Sequence, residues 1–333
     1  MIGRFRRVVA LAALGGLPLL FPAVGAEARP FSFSMEAISM DEEDPHRNRV
    51  GRLIWRGGFA LTAAEKKFGG FSGLAISADG DVLTMVSDAG LWMRARPLLD
   101  GRGNFRGLES AAIGRLRGPD GSLLLRNHDR YAESVDILPD GLLVSFEQRH
   151  RPWLYRGRDN PLFYRPREIP APPILSRAHP NQGIEAIVRL ADGKLVALAE
   201  GFPLGAGDLL GWVRNNDRPD GTWREFTYRR HRLYRPTGAT LLPNGDVLLL
   251  ERRFTWLGGF AARLATLKAA DIKPGATLEA RPLAEFDSAP LAENFEGLAA
   301  YRGPGGRTFV YMMSDDNFNI LQRTLLVMFE LVD

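Results

Sequence analysis

Short apolar runs separated by polar turns recur along the chain and predict pairs of β-strands. In four of these pairs an Asp-Gly or Asn-Gly dipeptide closes the hairpin, because such pairs tolerate the positive φ angles of a tight turn. The four dipeptides are Asp79-Gly80, Asp140-Gly141, Asp192-Gly193 and Asn244-Gly245. A fifth pair of runs, within residues 293–322, is separated by a Gly/Pro turn at 303–306. The pattern predicts five hairpins and an all-β protein.

The spacing of these hairpins indicates how many strands each repeat holds. The turn glycines lie 61, 52 and 52 residues apart, which is too long for a hairpin and fits a four-stranded blade with outer loops. We therefore predict a β-propeller with five blades, with six as the alternative if a degenerate blade is hidden. The C-terminal run 324–332 would be the third strand of the last blade. The N-terminal strand 52–61 would close the ring as its outer strand.

The segments between the hairpins supply the remaining strands and loops. Candidate outer strands lie at 91–96, 153–156, 223–228 and 278–286. Residues 260–270 would form either a short helix or an outer strand. The segments 156–173, with five prolines, and 201–221 are predicted to be loops.

The first 26 residues have the pattern of an export signal. A basic start precedes an apolar stretch at 8–20, and small residues favour cleavage after Ala26 or Ala28. The apolar stretch is shorter than the roughly 20 residues of a membrane span and contains Pro18. We expect a periplasmic or secreted protein without an integral membrane segment after signal removal, exported by either a general or a twin-arginine route.

The rest of the chain divides into two parts. Residues 27–50 are polar and are predicted to be an extended lead-in, and residues 51–333 form a single propeller domain. Removing residues 1–26 deletes three arginines and no acid, which lowers the formal charge from +4 to +1. This balance does not indicate nucleic-acid binding. The absence of cysteine excludes disulfides and thiolate metal sites. We expect a monomer that acts on a small molecule.

Polar or acidic residues stand at both ends of the otherwise apolar hairpins. Eight residues before the turn glycine are Ser72, Glu133, Glu185 and Thr237, and Glu296 holds the matching place in the fifth repeat. After the second strand follow Asp88, Glu147, Glu200, Glu251 and Asp315. These two positions lie at the same end of an antiparallel hairpin. A propeller would therefore gather the acids around one mouth of its central channel.

Closely spaced carboxylates must be protonated, paired with arginines or bound to a cation. An oxygen-only ligand set suits Ca²⁺ better than Zn²⁺. We expect Glu185, Glu296, Asp315 and Asp316 to hold Ca²⁺, with Asp88, Glu147 and Glu251 as further ligands. The alternative is that these acids cap turns or form salt bridges between blades.

The remaining candidates would supply proton transfer and phosphate binding. Glu133 or Glu200 would position water, and Arg149 and Arg252 would hold phosphate oxygens. His128 and His179 precede inner strands and would be general bases, although a loop histidine is more often a bystander. No GxSxG, HExxH, Walker-type loop or dinucleotide-binding GxGxxG pattern is present in the sequence.

Several motifs together resemble the phytase-like family of exported bacterial proteins, also described by an esterase-like activity of phytase. They are FGGFSGLAIS followed by SDAG, GIEAI followed by AEG, ERRF, and NFEGLA followed by SDDNFNILQRTLLVMFEL. The resemblance covers about residues 50–333. It implies a propeller whose recurrent acids carry phosphoesterase activity with calcium. Ser72 and Thr237 depart from the glutamates of the other repeats, which implies an asymmetric site.

Together these patterns predict an exported, Ca²⁺-dependent phosphoric-ester hydrolase of the phytase or phosphodiesterase kind, with its site at the channel mouth. Two alternatives stay open at this point. One is a non-catalytic propeller that binds a ligand or partner at its channel. The other is a calcium-dependent lactonase or carboxylesterase.

Overall fold

The computed structural model describes residues 28–44, 46–157, 159–204, 207–288 and 290–332. The chain forms five small β-sheets arranged as a five-bladed propeller, so the prediction of five blades is confirmed and the six-bladed alternative is wrong. The predicted export signal at 1–26 lies outside the described residues. No helix among the described residues is long and apolar enough to cross a membrane.

The strands follow the repeats in order. The N-terminal part contains β1 (Arg29–Pro30), β2 (Ser34–Ala37), β3 (Arg49–Val50) and β4 (Leu53–Thr62). Blade 1 contains β5 (Phe71–Ile76), β6 (Leu83–Ser87), β7 (Leu91–Leu99) and β8 (Phe105–Arg115). After the short helix α1 (Asn127–Arg130), blade 2 contains β9 (Ala132–Leu138), β10 (Gly141–Phe146), β11 (Arg151–Arg156) and β12 (Arg167–Glu168).

The last three blades repeat this order. Blade 3 contains β13 (Ile184–Arg189), β14 (Leu195–Leu204), β15 (Asp208–Arg214) and β16 (Trp223–Tyr228). Blade 4 contains β17 (Arg235–Leu241), β18 (Val247–Thr255), β19 (Gly259–Leu267) and β21 (Arg281–Phe286), and β20 (Thr277–Leu278) joins blade 3. Blade 5 contains β22 (Phe295–Arg302), β23 (Thr308–Ser314) and β24 (Thr324–Leu331). Single 3₁₀ turns lie at Pro161–Phe163, Pro173–Arg177, Ala269–Asp271 and Pro304–Gly306.

The two chain ends meet in blade 5 and close the ring. Strand β24 pairs with β23 on one side and with β4 on the other, in antiparallel register from Thr324 opposite Leu61 to Leu331 opposite Leu53. The closure predicted from the two terminal apolar runs is therefore what the structure shows. The lead-in also takes part, because β1 pairs with β8 of blade 1 and β2 pairs with β4.

At 260–270 one of the two predicted alternatives is found, and at 201–221 the predicted loop is wrong in part. Segment 260–270 is mainly a strand, β19, because its alternating apolar residues fill the space between β18 and β21. Segment 201–221 is not simply a loop, since β14 runs to Leu204 and β15 begins at Asp208. Strand β15 is the third strand of blade 3. Its apolar side chains Leu209, Leu210, Trp212 and Val213 are all buried, with at most 5% of any of them exposed. The glycines and prolines of this segment therefore hid a strand.

The core lies between the blades rather than within any one of them. Five apolar clusters fill the five spaces between neighbouring sheets. The cluster between blades 5 and 1, for example, joins Phe71 and Met85 to Tyr311 and Met313. Because each sheet buries both faces against its neighbours, removing one blade would expose two apolar faces. This rigid ring holds the inner strands at the channel.

Candidate functional site

A β-bulge interrupts the innermost hairpin of every blade at the same place. The pairing of the two inner strands skips one residue, which therefore has no partner across the hairpin. The skipped residues are Ser72, Glu133, Glu185, Thr237 and Glu296. All five side chains are buried. These are the repeat positions singled out from the sequence, and a bulge re-aims such a side chain relative to its neighbours.

A second ring of side chains comes from the end of the second strand. In four blades the residue just after the paired part of the second strand donates its backbone N–H to the carbonyl oxygen of the residue two places before the bulge. The four donor residues are Asp88, Glu147, Glu200 and Asp315. In blade 4 the residue at that level is Arg252, which pairs with Arg235. The two rings together contain seven carboxyl groups and one guanidinium among the described residues. The mouth of the channel is thus strongly acidic.

The structure places Glu251 apart from this cluster. It is fully buried, accepts a hydrogen bond from the hydroxyl of Tyr228 at 2.8 Å and lies 3.1 Å from the guanidinium of Arg263. Successive side chains of a strand point to opposite faces. Strand β18 therefore directs Arg252 into the ring and the preceding residue, Glu251, into the space between blades 3 and 4. The expected grouping of Glu251 with the channel acids is therefore wrong. Its geometry is that of a structural ion pair.

Arg252 links three blades across the ring. Its Nη2 donates to Oε1 of Glu200 at 3.0 Å and lies 3.3 Å from Oε1 of Glu296. Burial would lower the pKa of this guanidinium, but the charges of Glu296 and Glu200, with Glu185 and Asp315, raise it above its ordinary value. Arg252 therefore stays charged and compensates the carboxylates on the side of the ring formed by blades 3, 4 and 5.

The side formed by blades 1 and 2 has no such compensation. Burial raises the pKa of Asp88 and of Glu133 well above their usual values, and the neighbouring carboxyl groups add to both shifts. Burial, followed by the charges of Glu200 and Glu296, raises the pKa of Glu147 to about 7. The charge of Glu147 also acts on Glu133, so the two carboxyl groups lie close enough to influence each other. Among the described residues, no hydrogen-bond donor reaches the buried Oε1 of Glu133.

The other ring acids are raised for the same reason. Burial is the largest cause of the raised pKa of Glu185, Glu296 and Asp315, and Arg252 opposes all three shifts. Glu296 also accepts a hydrogen bond from the Nδ2 of Asn294 at 2.9 Å. Asn294 was missed from the sequence. It is fully buried one place before β22, and its Oδ1 has no hydrogen-bond partner.

Asp316 is held by the loop rather than by the ring. Its Oδ1 accepts hydrogen bonds from the backbone N–H of Gly70 at 2.9 Å and of Phe318 at 3.1 Å, and its Oδ2 accepts one from Thr324 at 3.0 Å. These contacts join blade 5 to the entry of blade 1. Asp315, one place earlier, is the residue that reaches the other carboxyl groups.

The two histidines and Arg149 lie on the outer rim. His128 and Arg149 are exposed, and both face Asp129, the arginine at 3.0 Å. His179 is also exposed, and its carbonyl oxygen lies 3.1 Å from Nε2 of His150. His150 was not singled out from the sequence. The structure gives none of these four side chains a hydrogen bond to a ring carboxyl group.

The ring fits a divalent cation by its chemistry but is not arranged around one. Seven carboxyl groups, one of them with a buried oxygen that no hydrogen-bond donor among the described residues reaches, offer the hard oxygen ligands that Ca²⁺ prefers. Within the described ranges, however, no three Asp, Glu or His side chains converge as a preformed metal site. For a cation to bind, the carboxyl groups would therefore have to move closer to one another and release any protons that they carry.

Comparison with known proteins places the chain in a family. The family model of phytase-like proteins, described as "esterase-like activity of phytase", matches residues 66–318. Because this match covers most of the sequence, the chain belongs to the phytase-like family. A search of curated protein sequences finds no match.

Three solved structures are similar to this chain at low sequence identity. A protein of unknown function from Dyadobacter fermentans is 13% identical, with 86% of each chain covered and a TM-score of 0.45. A putative gluconolactonase is 11% identical, covering 91% of this chain and 96% of that one, with a TM-score of 0.45. A putative 6-phosphogluconolactonase from Bacteroides uniformis is 17% identical, covering 73% of this chain and 64% of that one, with a TM-score of 0.34.

Proposed function

We propose that this phytase-like propeller is a Ca²⁺-dependent hydrolase of phosphoric esters, with its active site at the acidic ring. The observation that carries the proposal is the uncompensated group formed by Asp88, Glu133 and Glu147. A protein pays a large desolvation cost for buried carboxyl groups without a cationic partner. Such an arrangement is a functional-site candidate rather than a source of stability.

The residues have separable roles in this proposal. Asp88 and Glu133 would hold the cation, with Glu185, Glu296 and Asp315 completing the ring around it. Bound Ca²⁺ would polarise a phosphoryl oxygen of the substrate. Asp316, which is fixed by three hydrogen bonds within the protein, is left out of this set.

Proton transfer would fall to Glu147. A pKa of about 7 places Glu147 near the optimum for accepting a proton from water at neutral pH. Glu200 would orient Arg252 through their 3.0 Å hydrogen bond. Arg252 would then contact the anionic oxygens of a phosphate, which a guanidinium binds in a planar geometry. Arg149, on the rim, would meet the substrate before Arg252.

Calorimetric titration of chelator-treated protein with Ca²⁺ tests the metal. We expect binding in the unchanged chain, and at least a tenfold loss of affinity in Glu133→Gln. Asp140→Asn is the matched control, because Asp140 lies at the hairpin turn at the far end of blade 2 and is exposed. Absence of binding by a folded protein, or equal binding by both variants, would contradict the calcium site.

Activity is tested on the same proteins with a phosphodiester, a phosphomonoester and a lactone, each with Ca²⁺ and with chelator. We expect Ca²⁺-dependent turnover of a phosphoric ester that Glu133→Gln abolishes and Asp140→Asn keeps. Turnover of the lactone alone would assign the site to lactone hydrolysis. Calcium binding without turnover of any ester would leave a binding propeller.

A further inference from the structure

Large apolar side chains are exposed mainly at the mouth that carries the acidic ring. Among the described residues eight of nine such side chains lie at this end, seven in segments that connect strands and Phe254 near the end of β18; they are Leu125, Leu233, Phe254, Trp256, Leu257, Phe318, Ile320 and Leu321. The ninth, Tyr164, packs against Gly157 beyond the opposite end of β11. Exposure of this kind on one face marks an interaction surface.

The hairpin of β18 and β19 raises the most exposed pair above the ring. Strand β18 continues three residues past Arg252, which lifts its end by about 10 Å. Trp256 and Leu257, in the turn that follows, are 94% and 104% exposed. The turn is ordered, since Gly258 N–H donates to Oγ1 of Thr255 at 3.0 Å.

Aromatic packing supports this tip from below. The ring of Phe254 lies 4.9 Å from that of Phe260 across the hairpin and 5.7 Å from that of Trp256. Blade 5 adds a second tip in the loop between β23 and β24, where Ile320 and Leu321 are 98% and 85% exposed. Both tips therefore project apolar side chains in the direction in which the channel opens.

Arginines are concentrated at the same end of blade 4. Residues 229–235 and 252–262 contain six arginines and no acid; one of the six, Arg252, belongs to the ring, and the acids Glu285 and Asp287 lie nearby at the end of β21. Arg229 and Arg232 are exposed, beside the exposed Leu233. Arg253 lies over the ring of Tyr234 at 5.3 Å and 4.0 Å from Glu285, so it belongs to the base of the hairpin. The ring carboxyl groups lie below this level, inside the channel mouth.

We propose that this face docks onto an anionic phospholipid surface, with Trp256 and Leu257 entering the interface and Arg229 and Arg232 contacting lipid phosphates. A tryptophan and a leucine at a loop tip with arginines beside them match the layers of a bilayer interface, in which indole sits at the headgroup level and basic residues meet negative charge. Two separate tips on different blades suit a fluid lipid surface better than the continuous, closely packed core of a protein interface. The inference does not depend on the reaction at the ring.

Vesicle co-sedimentation with the purified chain tests the docking. We expect binding to phosphatidylcholine vesicles containing about a third phosphatidylglycerol, and several-fold weaker binding to phosphatidylcholine alone. The double variant Trp256→Ser, Leu257→Ser should lose at least fivefold in binding. Tyr164→Ser, on the opposite face, should bind as the unchanged chain does. Circular dichroism confirms that each variant is folded.

The charge contribution is tested separately. Arg229→Glu with Arg232→Glu should remove the preference for anionic vesicles. Lys194→Glu with Arg302→Glu changes the charge equally at the far hairpin turns and should leave it. In the unchanged chain the fluorescence of Trp256 should shift to the blue and be quenched by brominated lipid.

Two results would overturn the proposal. One is a folded chain that binds neither kind of vesicle, or whose vesicle binding is unchanged when the tip residues are replaced. The other is self-association that the tip variant abolishes, with no vesicle binding, which would assign the face to a second copy of the chain.

Discussion

At the scale of single residues, the position of Arg252 decides the character of the ring. It occupies in blade 4 the place that Asp88, Glu147, Glu200 and Asp315 occupy in the others. With an acid there, the ring would be nearly symmetric and uncompensated throughout. With arginine, one side is compensated and the side of blades 1 and 2 is left acidic.

Replacing Arg252 by Met should destabilise the protein at pH 7 by roughly 2–4 kcal/mol, because Glu200 and Glu296 would be left without their cation. The value is below that of a fully buried pair, since the side chain of Arg252 is 24% exposed. Urea denaturation measures it. Arg149→Met is the control and should change stability by less than about 1 kcal/mol, because Arg149 pairs with Asp129 in solvent. Equal effects of the two variants would contradict the role given to Arg252.

At the scale of the strand pair, the bulge and the residue after it form one device. The residue after each bulged position is small in all five blades: Gly73, Ser134, Ala186, Gly238 and Gly297. A side chain at Gly238 would place its Cβ 2.5 Å from the carbonyl oxygen of Glu296 in the next blade. Inner strands of neighbouring blades therefore approach closely enough to bring the two rings together.

Gly238→Ala should cost about 1–3 kcal/mol, because its Cβ would meet backbone that cannot move without shifting Glu296. The free energy of unfolding in urea and the affinity for Ca²⁺ should fall together. Gly101→Ala is the control, since nothing lies within 4 Å of a Cβ built there. An unchanged free energy of unfolding in Gly238→Ala would show that the blades adjust without strain.

At the scale of the whole molecule, closure of the ring forces like charges together. Five apolar clusters fix the spacing of the blades, so the acids cannot separate to relieve their repulsion. Burial and this repulsion together raise the pKa values of Asp88, Glu133, Glu185, Glu296 and Asp315. The stability of the closed ring should therefore depend on pH and on bound cations, which would not be so for a single repeat.

The raised pKa values predict that protein freed of cations by a chelator becomes less stable as pH rises. A carboxyl group whose pKa is higher in the folded than in the unfolded state stabilises fully below the unfolded value, near 4.5, and loses that contribution as pH rises through the folded value. For Glu147 the pKa in the folded state is about 7, and the same value holds for the half-buried Asp136, which accepts a hydrogen bond from the backbone N–H of Arg189 in blade 3. We expect the melting temperature to fall by at least about 5 °C between pH 5 and pH 8.

Calcium should reverse much of this fall at pH 8 and little of it at pH 5, because protonated carboxyl groups do not bind the cation. Thermal unfolding with and without Ca²⁺ at the two pH values measures it. In Glu133→Gln the fall between the two pH values should be smaller. A melting temperature that rises with pH in the chelated protein would contradict the raised pKa values of the ring.

The sequence by itself determined the repeat, and with it the fold. Alternating apolar strands and Asp-Gly turns are local signals, so five hairpins, a five-bladed ring and its closure by the strand at 52–61 follow from them, as does the place of Glu133, Glu185 and Glu296 at the mouth.

Which residue of the second strand enters the ring depends on the tertiary structure. The distance from turn to ring varies among blades, and one residue more or less exchanges Glu251 for Arg252, since successive side chains face opposite ways. The third strand of blade 3 was hidden for a similar reason, because neighbouring blades override the turn-forming tendency of its glycines. Charge compensation in the ring likewise depends on contacts between residues 44 or more positions apart, namely Arg252 with Glu296 and with Glu200, which no local pattern records.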